Sequence, residues 1–379
     1  MQKVHIIYYK VVKRLKVLIL SGSTGGGHNA AALALKAQFE SMQIPTTFLD
    51  ILKFAHSKTS HVVSRLYSDT TVKTPALFGL LYKAGGLIST PKFKSIIYGA
   101  NMLYTKNLTQ YLLSEKIDTV ICTHLFSAQA ITYITHHTDL PIKTYAVATD
   151  YTCIPFWEDC EMDAFFIPHQ DLLKEFTDHG VKASTLVPIG IPVHPNFLIP
   201  LSKEEAKVKL NLKPTKPLIT IMCGAMGFGN IKPLIQLLTK KITQVDFFIV
   251  CGHNNDLYKD LSNLGTHIHV EHFIDYSPLL IKASDILLSK PGGLTSTEAV
   301  IAGTPLIHLA PIPGCETYNK IFFNQHLLSL DGDTPDKALT ACIRLLSDKV
   351  FLNQMYKAQK LTLNHHATSD ICNYIVTHT

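Results

Sequence analysis

The chain has 379 residues, 46% of them apolar and 17% charged, with a formal net charge of +6. One core rarely grows past about 250–300 residues, so two domains are expected, and the apolar content excludes large-scale disorder. No run reaches the ~18 uncharged apolar residues of a membrane-spanning helix. The first twenty residues carry Lys3, Lys10, Lys13, Arg14 and Lys16 and no small-residue cleavage site, which argues against a secretory signal and for a cytosolic protein.

In chain order, Val17–Ser21 reads as a strand and His28–Met42 as a helix. Between them runs Ser21-Gly22-Ser23-Thr24-Gly25-Gly26-Gly27-His28, whose glycines let the main chain approach a ligand closely with its N–H groups exposed. It lacks the Gly-Lys-Ser/Thr of a P-loop and the spacing of a dinucleotide fingerprint, and Asp50 is a poor ribose partner for one. His28 falls in the first helical turn, where the positive end of the dipole favours neutral imidazole and hence a proton acceptor. A purely structural histidine is the competing reading.

The next feature is charge. Residues 1–150 hold 16 Lys+Arg against 7 Asp+Glu, a net of +9, and the remaining residues hold 19 against 22, a net of −3. Between Lys53 and Lys106 eight basic residues face only Asp69, interleaved with Phe54, Tyr67, Phe78, Tyr82, Phe93, Tyr98 and Tyr104. Such a segment suits an anionic bilayer surface, although a solvated basic face over an ordinary core fits as well. No nucleic-acid-binding module accompanies it, so no nucleic-acid partner is expected.

Further strands are expected at Thr119–Cys122 and Thr144–Ala148. After the linker-like Pro192, Pro195 and Pro200 the alternation restarts, with a helix near Lys203–Leu210 and strands at Leu218–Cys223, Phe247–Cys251 and up to Leu288. A helix at Leu294–Ala302 and a strand at Leu306–Leu309 follow. Strands alternating with helices imply an α/β fold with a parallel, doubly wound sheet in each half and ligands at the carboxyl ends of the strands.

The loops of the second half are rich in glycine. Gly224, Gly227 and Gly229 follow one strand, where a tight turn would also explain them. Lys290-Pro291-Gly292-Gly293-Leu294-Thr295-Ser296-Thr297-Glu298 follows another and opens a helix. Unobstructed amides and the dipole at that N-terminus make a diphosphate site, and Glu298, a turn further in, can accept from vicinal ribose hydroxyls. An N-capped helix would explain Ser, Thr and Glu but not the paired glycines. Pro313-Gly314-Cys315-Glu316-Thr317-Tyr318-Asn319 then brings Glu316 and Asn319 to the same edge, as sugar-binding acceptors or as loop caps. The string Asp331-Gly332-Asp333 reads as a solvated turn. Eight cysteines without a C-x-x-C pair read as reduced, buried residues, not as disulfides or a zinc site.

In their order, the Gly-Gly-Gly-His loop, Thr149-Asp150-Tyr151, Pro155-Phe156-Trp157, Gly190-Ile191-Pro192-Val193, the Gly-x-x-Gly-x-Gly loop, the Lys-Pro-Gly-Gly-Leu-Thr helix start and the Pro-Gly-x-Glu-x-x-Asn turn resemble one family. It is that of monogalactosyldiacylglycerol synthase and processive diacylglycerol glucosyltransferase, and the resemblance spans roughly residues 15–330. It implies a GT-B fold of two Rossmann-like domains facing a central cleft: an acceptor- and membrane-facing domain over 1–195 and a nucleotide-sugar domain over 196–354, with a last helix near 355–379 packing back on the first. By the same resemblance, Phe273 and Ile274 hold the uracil and Glu298 the ribose. Pro291, Gly292, Gly293, Thr295 and the Gly224–Gly229 loop take the diphosphate, with Glu316 and Asn319 near the hexose. His28, behind Gly26 and Gly27, is the base, and Asp150 is a second base or orients the first.

Three positions depart from the family pattern. Ile154 stands where histidine is common, Cys315 where an amide is, and Asn29 where a basic residue follows the loop histidine. They bear on acceptor and hexose rather than on the nucleotide site. The expected activity is inverting transfer of a hexose from a UDP-sugar to diacylglycerol or a related lipid, by an enzyme peripherally attached to the inner face of the cell membrane. It requires no cofactor and no metal. The alternatives are transfer to a lipid-linked peptidoglycan precursor, a UDP-sugar 2-epimerase on the same fold, and a non-catalytic nucleotide-sugar-binding protein.

Overall fold

The computed structural model describes residues 15–22, 26–54, 104–222, 224, 231–262, 265 and 267–379. The chain divides into two compact units, Met1–Pro195 with His366–Thr379, and Asn196–His365. Gly227, Gly229 and nearly all of the basic segment 53–106 lie outside the described residues.

In the first unit β1 (Val17–Ser21), β2 (Thr46–Asp50), β3 (Thr119–Cys122), β4 (Lys143–Val147), β5 (Ala164–Phe166) and β6 (Leu186–Val187) form one sheet. Their order is β2-β1-β3-β4-β5-β6, and every pairing is parallel. Among the described residues up to Pro195 the α-helices are α1 (Gly26–Ser41), α2 (Thr105–Glu115), α3 (Leu125–His137) and α4 (Leu173–Asp178). Ala31, Ala32, Ala34, Leu35 and Phe39 form the buried stripe of α1, and Leu35 and Phe39 pack on Val17, Ile19, Ile121 and Phe166. The helix takes in Gly26 and Gly27, so His28 is its third residue. The chain reverses its direction across the sheet between β1 and β3, the switch point at which doubly wound sheets bind ligands.

The second unit repeats the plan. Its helices are α5 (Lys203–Lys209), α6 (Lys232–Lys241), α7 (Asn255–Leu261), α8 (Ser277–Ala283), α9 (Gly293–Ile301), α10 (Cys315–Gln325), α11 (Pro335–Ser347) and α12 (Lys349–Thr362). The strands β7 (Leu218–Met222), β8 (Asp246–Val250), β9 (Ile268–Glu271), β10 (Ile286–Ser289), β11 (Leu306–Leu309) and β12 (Ser329–Gly332) stand in the order β12-β11-β10-β7-β8-β9, all parallel. Ile219, Ile221, Phe247 and Ile249 enter one core, while Leu218, Phe248 and Val250 enter another. Alternate residues thus bury both faces, which is why these strands read as unbroken apolar runs. The switch point lies between β7 and β10.

The chain returns to the first unit at residue 366, not near 355. Phe351 and Met355 of α12 belong to the second core, and Gln359 donates to the carbonyls of Thr304 (3.0 Å) and Leu328 (3.3 Å). Only the last helix, α13 (Ala367–His378), joins the first core, through Ile371, Cys372, Ile375 and Val376. Asp331 is half-buried in β12 and Asp333 follows it, exposed; Lys320 bridges both carboxylates, and Lys337 lies 2.8 Å from Asp331. Of the described cysteines all but Cys315 are buried, and all are free.

Candidate functional site

Two sites form, one at the switch point of each unit. In the first, β1 delivers Gly22 and α1, and β3 delivers Thr123 and His124. Nδ1 of His28 lies 3.0 Å from the Thr123 carbonyl and 2.8 Å from the Thr149 hydroxyl. A carbonyl oxygen can only accept, so Nδ1 carries the proton and Nε2 the lone pair. Burial is the main cause of a depressed His28 pKa, and the charge of Asp150 and the Thr123 carbonyl oppose it. Burial, rather than the helix dipole, is thus the main force that disfavours imidazolium here. Asp150 is half-buried, on the segment after β4. That segment is pinned by the Glu175 carboxylate, which accepts from the Thr152 hydroxyl (2.5 Å) and the Cys153 amide (2.7 Å). Asp50 accepts from the Leu52 amide at 2.9 Å and so caps a local turn. His124, which the sequence did not single out, meets His28 edge to face with ring centroids 4.7 Å apart.

In the second unit β7 and β10 pair in parallel, and Gly224 after the one lies beside Lys290 after the other. Gly292 is the N-cap of α9 and supplies no side-chain cap, so the first N–H groups of the helix have no capping partner of the usual kind. Its φ is −72°, and a Cβ placed there would meet nothing within 4 Å. Among the described residues, neither backbone nor packing calls for glycine at this position. Gly224 is different: its φ is +73°, and a Cβ would fall 2.9 Å from Cε of Lys290.

The three hydroxyls of α9 do not act together. Ser296 is buried and bonded to His308 at 2.8 Å, and Thr297 donates to the Gly293 carbonyl at 2.7 Å, so only half-exposed Thr295 remains beside the open end. Glu298 makes no hydrogen bond or ion pair among the described residues, and burial pushes its carboxyl up to about 8. Glu316 and Asn319 are buried, and their bonds hold the loop. Glu316 pairs with Lys290 and accepts from the Ile312 amide at 2.9 Å, while Asn319 donates to the Pro291 carbonyl at 3.0 Å. Phe273, after β9, is exposed and lies parallel to His253 with centroids 5.1 Å apart, and Ile274 beside it is buried.

A helix start without a side-chain cap thus stands at one switch point and a histidine with a depressed pKa at the other. Residues 28–193 match the family model for monogalactosyldiacylglycerol (MGDG) synthase, and residues 218–330 match the glycosyltransferase family 28 C-terminal domain. A processive diacylglycerol beta-glucosyltransferase of Bacillus cereus (strain B4264) is 29% identical over 356 residues, covering 92% of this chain and 90% of the relative. Among solved structures, MurG of Acinetobacter baumannii aligns with a TM-score of 0.62 at 14% identity, covering 96% of this chain and all of that one. A UDP-GlcNAc 2-epimerase from Neisseria meningitidis bound to UDP-GlcNAc also gives 0.62, at 16% identity over 96% of this chain and 100% of its own. These structural likenesses establish the GT-B fold.

Proposed function

We propose that the chain is a member of the monogalactosyldiacylglycerol synthase and processive diacylglycerol glucosyltransferase family and moves a hexose from a UDP-sugar to diacylglycerol or a related lipid, with inversion. The observation that carries the donor half is the uncapped start of α9 at Gly292, with Glu298 unpartnered further along the same helix. The diphosphate lies on those amides and the ribose diol on Glu298. His28 Nε2 takes the proton of the acceptor hydroxyl as it attacks the anomeric carbon, a contribution typically of ~10²–10⁴ in rate. The amides and the helix dipole stabilise the departing UDP, so no divalent ion is needed and a chelator leaves turnover unchanged.

No helix among the described residues is long and apolar enough to cross a membrane. The acceptor is reached by peripheral attachment to the inner leaflet, through the cations between Lys53 and Lys106.

The test pairs radiolabelled UDP-glucose and UDP-galactose with diacylglycerol liposomes and follows glycolipid by thin-layer chromatography. His28→Ala should abolish transfer and leave UDP affinity within a few-fold of wild type. Loss of UDP binding in that variant would instead assign the histidine to the loop. Epimerised UDP-N-acetylglucosamine without any acceptor would replace the transferase reading altogether.

A further inference from the structure

A second imidazole shares the first switch point. His124 follows β3 as His28 follows the loop after β1, and it is only 6% exposed. Gly22 makes the room for it: a Cβ there would fall 3.0 Å from both Cγ and Nδ1 of the His124 ring. The ring sits between Phe126, with centroids 4.6 Å apart at 73°, and His28, at 4.7 Å and 88°.

The Phe126 amide donates to His124 Nδ1 at 3.1 Å, so His124 caps α3. Ser, Thr, Asn or Asp would cap as well and would not need a glycine opposite, so the cap alone does not account for an imidazole. Acceptance at Nδ1 puts the ring proton on Nε2 and makes imidazolium incompatible with the cap. His28 holds the opposite tautomer. Two neutral rings, one protonated at Nε2 and one at Nδ1, therefore meet edge to face.

We propose that His124 is a positioning residue for His28: a neutral wall that holds the His28 ring with Nδ1 on Thr123 and Thr149 and keeps Nε2 as the basic nitrogen. The proposal rests on the reading of His28 as the base. The groups that act on His28 come from two segments. Asp150 after β4 and the Thr123 carbonyl after β3 draw it toward imidazolium, while burial, to which the His124 ring contributes, opposes them. Burial and the proximity of His28 likewise keep His124 from protonating. With the ring removed, water reaches His28 and Asp150 prevails.

His124→Asn keeps an oxygen to accept from the Phe126 amide and deletes the ring. Gly22→Ala keeps the ring and displaces it. Both should fold with thermal midpoints near wild type and bind UDP-glucose with KM within about twofold. Each should lower kcat at pH 6.5 by about tenfold or more and move the acidic limb of the kcat profile up by about one pH unit. An NMR titration of the His28 Cε1 proton should move in the same direction. Because that titration is read without turnover, it tests the positioning role even if His28→Ala proved active and the base assignment failed. A wild-type kcat with an unmoved His28 titration in either folded variant would reduce His124 to a helix cap and overturn the proposal.

Discussion

Ser296, in the first turn of α9, lies 2.8 Å from Nε2 of His308 on β11. On its other side His308 Nδ1 lies 3.0 Å from the Ser329 hydroxyl, which donates its only proton to Asn324 Oδ1 at 2.7 Å. Ser329 must then accept from Nδ1, and Nε2 must accept from Ser296. The chain has one direction, and it ties the start of α9 to β12 and α10.

His308→Leu should therefore both destabilise the second unit and weaken UDP binding. Two buried hydroxyls lose a partner, at about 1–3 kcal/mol each. Burial, reinforced by Lys320, depresses the His308 pKa from 6.5 to about 3. The unfolded chain takes up a proton near 6.5 that the folded one refuses, so this stabilisation is complete above 6.5 and is lost as pH falls toward 3. Urea melts should show a wide gap between wild type and variant at pH 7.5 and a narrower one at pH 5. A constant gap would mean that His308 is already charged in the fold.

Gly224 and Gly292, both beside the proposed phosphate site, should behave oppositely. Gly292→Ala has an ordinary φ and open space for its methyl group, so its thermal midpoint should match wild type while UDP affinity drops tenfold or more. Gly224→Ala must adopt φ near +73° against the Lys290 side chain, which Glu316 tethers, so it should lose about 1–2 kcal/mol of stability. Calorimetry of each variant with and without UDP decides the matter. Normal UDP binding by Gly292→Ala would remove α9 from the donor site.

Glycine made these loops legible in the sequence, since paired glycines between a strand and a helix have few structural explanations. The alternation of elements likewise announced two parallel sheets. Strand order is a long-range property, so the switch points that bring Gly22 to His124 and Gly224 to Lys290 could not be read. Nor could His124 or His308, because a lone histidine at a strand end or within a strand carries no local pattern. Ser296 and Thr297 adjoin Thr295 in sequence, but the roughly 100° between successive helical residues carries them to other partners, His308 and the Gly293 carbonyl. Glu316 and Asn319 looked like sugar acceptors because nothing in their spacing reveals Lys290, Ile312 and Pro291 as their partners.

Attachment to membranes should be electrostatic if the cations between Lys53 and Lys106 act together. Each Lys or Arg near an anionic surface contributes roughly 1 kcal/mol, falling off within a Debye length of about 10 Å at 0.1 M salt. Co-sedimentation should require phosphatidylglycerol-containing vesicles and decline steeply between 50 mM and 500 mM salt, concentrations set on the order of that screening range. Equal binding to neutral vesicles would point to the aromatic residues instead.

Glu298 offers a test from the opposite sign of pH dependence. Burial raises its carboxyl from 4.5 to about 8, so the folded protein keeps a proton that the unfolded chain releases as pH rises through that window. Free enzyme should lose stability from this group between those values, and Glu298→Gln should remove the loss. The variant should thus melt above wild type at pH 8 and level with it near pH 5. Its UDP affinity should fall about tenfold to a hundredfold, as expected when hydrogen bonds to a charged acceptor, worth about 1.5–3 kcal/mol, are replaced. A ribose diol favours the carboxylate, so wild-type UDP binding should also tighten between pH 6 and 9 beyond any change seen in Glu298→Gln. Isothermal titration of both proteins across that range measures it. Identical profiles would show that the ribose does not rest on this side chain.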